Sequence, residues 1–142
     1  MAASLIKIGP AGRTSNNVWD DSGRTKITAI YLSYSYYGIR SLQFQYDEAG
    51  ISVISPNCFG SHSGPKFTTV AFETNEYVTG ISGIYHNSDG LTSLSIQTNR
   101  RTLGPFGNST EHWFTTRFSY QFGPTNRFGG FYGSFLLGYY VL

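Results

Sequence analysis

The sequence predicts an all-β domain in which three similar units fold about a pseudo-threefold axis. Three observations predict it. Apolar and polar residues alternate with a period of two along most of the chain. Glycine (17), tyrosine (11) and phenylalanine (11) are abundant and interleave with Ser and Thr, a composition that suits pleated, half-buried surfaces better than helices. Similar pairs of runs recur at intervals of about 50 residues, as internal repeats do.

The runs follow in order. Ile27–Tyr34 alternates, and so does Ile39–Tyr46, which sets Leu42, Phe44 and Tyr46 on one face and Ser41, Gln43 and Gln45 on the other. Phe67–Phe72, Tyr77–Tyr85 and Leu91–Thr98 come next, then Trp113–Phe118. The tail ends in two runs, RFGGFYG and SFLLGYYVL, with the break expected between Gly133 and Ser134. Clusters of Gly, Pro and Asn separate the runs, as turns require. Two pairs look alike, ITAI…IRSLQFQY and VTGI…LTSLSIQT. A third copy, FGGF…LLGYYV, has a shorter connection. One such sheet is too thin to bury its own face, so the three units are expected to share one core.

Several classes of function are excluded by composition. At 142 residues the chain is expected to be one domain, 1–142. Charged residues make up 13% and the net charge is +2, with Arg100-Arg101 the one basic pair, so no nucleic-acid partner is expected. Cys58 stands alone, so no disulfide framework exists. MAASLIKIGP lacks the pattern of a secretory signal, and no apolar run reaches the roughly 18 residues of a membrane span, so a cytoplasmic location is expected. The sequon Asn108-Ser109-Thr110 is expected to be idle without a secretory route. His62, His86 and His112 are far apart and lack ligand spacing, so neither metal nor cofactor is expected. Asp20-Asp21 and Asp47-Glu48 are adjacent pairs, which on a strand point to opposite faces. They do not make the facing carboxylates of a glycosidase, and no enzyme is expected.

Four motifs in order carry a resemblance over nearly the whole chain. They are Lys7–Gly12 (KIGPAG) with Trp19-Asp20-Asp21 beyond it; Tyr77–Gly83; Thr92–Arg101 followed by Gly104-Pro105-Phe106-Gly107; and Gly130-Phe131-Tyr132-Gly133. Together they resemble the jacalin-related lectins, in their single-chain mannose/glucose-type plant branch. The resemblance implies a β-prism I of three four-stranded Greek-key sheets. It implies binding of mannose- or glucose-type glycans without catalysis, metal or cofactor, and a cytosolic homo-oligomer, a dimer or higher. In that family the sugar lies at one end of the prism. A glycine-rich N-terminal loop offers a backbone N–H, and a G-x-x-x-D loop in the last hairpin offers a carboxylate among backbone amides. Sugar hydroxyls both donate and accept, so that pairing suits them.

This chain departs from the pattern at both places. Arg13, Thr14, Ser15 and Asn16 stand in the N-terminal loop, with Asn16 at the position of the sugar-contacting glycine; Asn enters the left-handed region more readily than most residues. In the last hairpin Gly133, Ser134 and Phe135 occupy the place of the binding loop, and Phe135, the nearest counterpart of its Asp, cannot accept a hydrogen bond. Other polar groups gather at the second unit's tip, Tyr85-His86-Asn87-Ser88-Asp89-Gly90. There Asp89 accepts, Asn87 does both, and Tyr85 offers a ring to the apolar face of a sugar. The first unit's tip, Ser33–Gly38, holds three tyrosines, which suit a binding surface or an oligomer contact equally. Two functions remain open: a lectin with an altered or weakened site, strengthened by avidity, or a structural or protein-interaction module on the same fold.

Overall fold

The computed structural model describes residues 18–20, 26–54, 59–60, 66–88, 90–122, 130–136 and 139–141. Among them every regular element is a strand. In chain order these are β1 (Val18–Asp20), β2 (Lys26–Ser35), β3 (Gly38–Glu48), β4 (Ile51–Ile54), β5 (Phe59–Gly60), β6 (Lys66–Ala71), β7 (Val78–His86), β8 (Leu91–Thr98), β9 (Thr102–Gly107), β10 (Thr115–Gln121), β11 (Tyr132–Leu136) and β12 (Tyr139–Val141). No helix among the described residues is long and apolar enough to cross a membrane.

Period-two runs become hairpins wherever the residues between them can turn. Ala49 and Gly50, at φ 53° and φ 84°, form the two-residue turn from β3 to β4, and Gly50 N donates to Asp47 Oδ1 at 2.8 Å. The first sheet runs β4-β3-β2-β6, with β5 also paired to β3, and the second runs β10-β7-β8-β9. Both are antiparallel Greek keys: a hairpin, a third strand on one side, and a fourth returning to the other. The third sheet runs β1-β11-β12. Here the early strand β1 takes the place of the returning strand, so the third unit draws on both ends of the described chain.

The second strands of the three hairpins, β3, β8 and β12, touch one another pairwise. That contact is the shared axis expected from the repeats. Around it are buried Leu42, Phe44 and Tyr46 of β3 and Leu91, Leu94 and Ile96 of β8, backed by Ile30 and Leu32 of β2 and Val78 and Ile81 of β7. Each fully buried Leu or Ile contributes roughly 1.5–3 kcal/mol relative to exposure. The ring of Phe131, just before β11, stacks on Phe44 with centroids 4.4 Å apart and planes at 15°.

At the end of the sheets remote from the hairpin tips lies a polar clip. Glu76 is buried, and its carboxylate receives Arg101 Nε at 2.9 Å, Arg101 Nη2 at 3.0 Å, Thr98 Oγ1 at 2.7 Å and Glu73 N at 3.0 Å. Arg101 Nη2 also donates to Ala71 O at 2.8 Å. The clip joins the β8–β9 turn to the β6–β7 connection, so it couples the first sheet to the second.

Three expectations are corrected. No strand break falls between Gly133 and Ser134, because both lie inside β11 with Phe135, paired to Trp19, Val18 and Tyr140. The hairpin closes at Leu136↔Tyr139, with residues 137 and 138 between. Alternation alone does not tell a glycine inside a strand from one that ends it. Ser41 is buried rather than outward, because it faces Ser33 across the β2–β3 ladder and the two hydroxyls bond at 2.5 Å. Trp113 and Phe114 precede β10 in a turn, since the ladder to β7 begins only at Thr115.

Candidate functional site

The β7–β8 tip is shaped by its short polar side chains. His86 N donates to Gly90 O at 2.9 Å, and His86 Nδ1 accepts from Ser88 N at 3.2 Å. An Nδ1 that accepts a backbone N–H leaves the neutral ring's proton on Nε2. Asn87 fastens this tip to the next connection: its N donates to Phe114 O at 2.9 Å, and its Oδ1 accepts from Thr116 Oγ1 at 2.6 Å.

That connection, between β9 and β10, is held by Thr115. Its hydroxyl accepts from His112 N at 2.9 Å and donates to His112 O at 2.9 Å. The tight turn presents three successive rings. His112 stacks on Phe114 at 4.7 Å and 13°, and His86 approaches the same ring at 5.0 Å and 40°. Trp113 meets Phe114 edge-on at 5.4 Å and is itself 92% exposed.

The first sheet supplies the third wall. Gly38 starts β3 at φ 135°, and a Cβ there would fall 2.5 Å from Leu91 O of β8. Only glycine allows that approach. It brings the β2–β3 tip against the second sheet, where Tyr36 and Tyr37 sit edge-to-face at 5.7 Å. Tyr37 N donates to Ser35 Oγ at 3.1 Å, which fixes the turn.

Between these three tips lies an open depression of about 250 Å³. Tyr36, Tyr37, His86, His112 and Phe114 line it with rings, and Asn108, Thr110 and Thr115 add polar atoms. No carboxylate is among the described lining residues. Glu111, between Thr110 and His112, is taken by Arg117 Nε at 2.7 Å, and that hydrogen bond holds its carboxyl below the usual range; Asp89, next to Gly90, lies outside the described residues. Among the described residues no group of three His, Cys, Asp or Glu side chains converges as a metal site would.

The predicted residues fare unequally. Asn16 and Asp89 lie outside the described residues. His86 lines the depression, and Asn87 is exposed beside it with its carbonyl oxygen already engaged. Tyr85 is half-buried and does not line the depression: a register shift between Ile84 and Tyr85 accompanies a ring packed against the core, 6.2 Å from Phe118. Gly133, Ser134 and Phe135 belong to β11, whose pairing was given above. Counted from Gly133, the acidic position of G-x-x-x-D falls on Leu137, so neither Phe135 nor Leu137 supplies a carboxylate. His86 and His112, far apart in sequence, meet across Phe114. Sequence reasoning missed His112, Trp113, Phe114 and Asn108. The available signal was the density of rings in His112-Trp113-Phe114 next to Thr115-Thr116, read as strand instead of turn.

Comparison with known proteins gives a consistent set of matches. A family model described as Jacalin-like lectin domain matches residues 8–138. Jacalin-related lectin 24 of Arabidopsis thaliana is 34% identical over 139 residues, covering 92% of this chain and 61% of the relative's own length. Protein RESTRICTED TEV MOVEMENT 1 of the same plant is 36% identical over 141 residues, covering 92% of this chain and 79% of the relative. The solved structure of a mannose binding jacalin related lectin from Ananas comosus superposes with a TM-score of 0.80 at 30% identity, covering 97% of both chains.

Proposed function

This chain belongs to the jacalin-like lectin domain family, and from that premise we propose that it binds saccharides without catalysis, in the depression between the β2–β3 and β7–β8 tips. One observation carries the reading. The depression combines rings for the apolar face of a sugar with hydrogen-bonding groups for its hydroxyls, whereas the last hairpin holds no carboxylate. The mannose binding named for the Ananas comosus relative makes mannose- or glucose-type glycans the first probes. An open depression of this size supports weak binding per site, and a homo-oligomer in the cytoplasm would add avidity.

The test is calorimetry with mannose, glucose, galactose and their oligosaccharides. The expected result is saturable binding, millimolar or tighter, lost in Tyr37→Ala and His86→Ala and kept in Phe135→Ala. Loss in Phe135→Ala alone overturns the placement.

A second reading is a protein-interaction module. It is favoured by the exposure of Trp113, Tyr36 and Tyr37 at one end of the molecule, and by the relative whose name refers to restricted TEV movement and to no sugar. Absence of binding to every glycan, with a stable dimer in solution, would decide for it.

A further inference from the structure

Resting on the depression as the saccharide site, we infer that the site extends over Trp113 at its rim and takes a saccharide of at least two rings joined by a bent linkage. Trp113 stands in sequence between His112 and Phe114, which both line the depression, yet does not line it itself. Its ring meets Phe114 edge-on at 5.4 Å, one ring outside the lining, and it is 92% exposed. Indole side chains are largely buried on average, so an exposed one beside a ring-lined hollow points to a ligand that covers it. The turn that carries it is fixed. Thr115 Oγ1 accepts from His112 N and donates to His112 O, and Thr115 N donates to the same carbonyl at 3.1 Å. An indole has only two side-chain torsions to order, so on a clamped turn it loses little entropy when a ligand stacks on it.

The angles between the rings set the shape of that ligand. His112 and Phe114 lie within 13° of parallel and offer one direction of face, and Trp113 is turned 86° from Phe114. The wall supplied by the β2–β3 tip repeats the arrangement, with Tyr36 and Tyr37 at 85°. A pyranose stacks its C–H face on an aromatic face. Two sugar rings that stack on Trp113 and on the His112–Phe114 pair therefore stand at a steep angle to each other. α-Linked glucose and mannose disaccharides such as maltose bend in this way. A β-linked disaccharide such as cellobiose runs as a flat ribbon and offers both rings in nearly one plane. A monosaccharide in the depression leaves the indole in water, and a bent disaccharide covers it.

Calorimetry in the glucose series (methyl glucoside, maltose, cellobiose) and in the matching mannose series tests this on the parent, Trp113→Phe and Trp113→Ala. In the series that binds, the α-linked disaccharide should be about tenfold tighter than the methyl monosaccharide, and the β-linked one should gain little. That advantage should vanish in Trp113→Ala and be largely kept in Trp113→Phe, which retains a ring. Trp19 is the other tryptophan, so the parent minus Trp113→Phe emission isolates Trp113. It should shift to the blue with the α-linked disaccharide and stay in place with the monosaccharide. A disaccharide no tighter than its monosaccharide, an advantage unchanged in Trp113→Ala, or an emission that the disaccharide does not move overturns the extended site and leaves the depression standing as the saccharide site. A β-linked disaccharide as tight as the α-linked one overturns the bend. No binding of any probe overturns the saccharide site as well.

Discussion

Gly38 presses its α-carbon against the carbonyl of Leu91: a Cβ built there lies 2.5 Å from that oxygen and 3.0 Å from Thr92 Cα. The contact joins β3 to β8 at the end where the depression opens, so it sets the height of Tyr36 and Tyr37 over the second sheet. Both the clash and the φ of 135° weigh against any side chain. Gly38→Ala is expected to destabilise the fold by about 2 kcal/mol. It should also abolish saccharide binding under conditions where the protein remains folded, because the tip must lift. Urea unfolding and calorimetry on the same sample check both effects.

Glu76 gives the fold a defined acid sensitivity. Hydrogen bonding from Arg101, opposed by burial and helped by Glu73 N and Thr98, lowers its pKa from the ordinary 4.5 to about 2. A carboxyl whose folded pKa lies below its unfolded one stabilises fully above the unfolded value and loses that contribution as pH falls through the folded one. Stability should therefore decline between pH 4.5 and 2. Glu76→Gln should be less stable than the parent at neutral pH by about 1–3 kcal/mol and should lack that portion of the decline. Urea midpoints across pH measure it, and a parallel slope in both proteins would overturn the assignment.

The Phe44–Phe131 stack ties the segment entering β11 to the middle of β3. Phe131 is 4% exposed, so its loss leaves a cavity. Phe131→Ala should cost about 3 kcal/mol and Phe131→Leu about 1 kcal/mol. The difference, read from denaturant midpoints at constant slope, reports how much of the third sheet's attachment is ring volume.

Tyr85 and Trp113 should behave in opposite ways. Tyr85 packs beside Phe118 against the core, so Tyr85→Ala should lower stability by roughly 1–3 kcal/mol and leave saccharide affinity unchanged in the folded fraction. Trp113 is 92% exposed, so Trp113→Ala should change stability by less than about 0.5 kcal/mol. The parent minus Trp113→Phe emission spectrum should have the red-shifted maximum of an indole in water.

Much of this architecture could be read before any coordinates. The inward set Leu42, Phe44 and Tyr46 was plain from alternation, and β2, β3, β7 and β8 fall within two residues of the expected runs. The misreadings share a cause. Alternation does not register a break in the ladder, so the shift at Ile84/Tyr85 and the turn before Thr115 were invisible to it. Nor does it tell a glycine inside a strand from one that ends a strand, which misplaced the last turn to Gly133-Ser134.

The sequence alone determined that the chain is built of paired strands in three similar units, because side-chain period and turn chemistry act locally. It also determined that the last hairpin contains no acid, which is a matter of composition. The tertiary structure decided where a ligand can sit. Asn87 finds Phe114, and Gly38 finds Leu91, only once separate hairpins pack side by side. Which tips converge depends on the fit of whole sheets around the axis formed by β3, β8 and β12, and no local pattern encodes that fit.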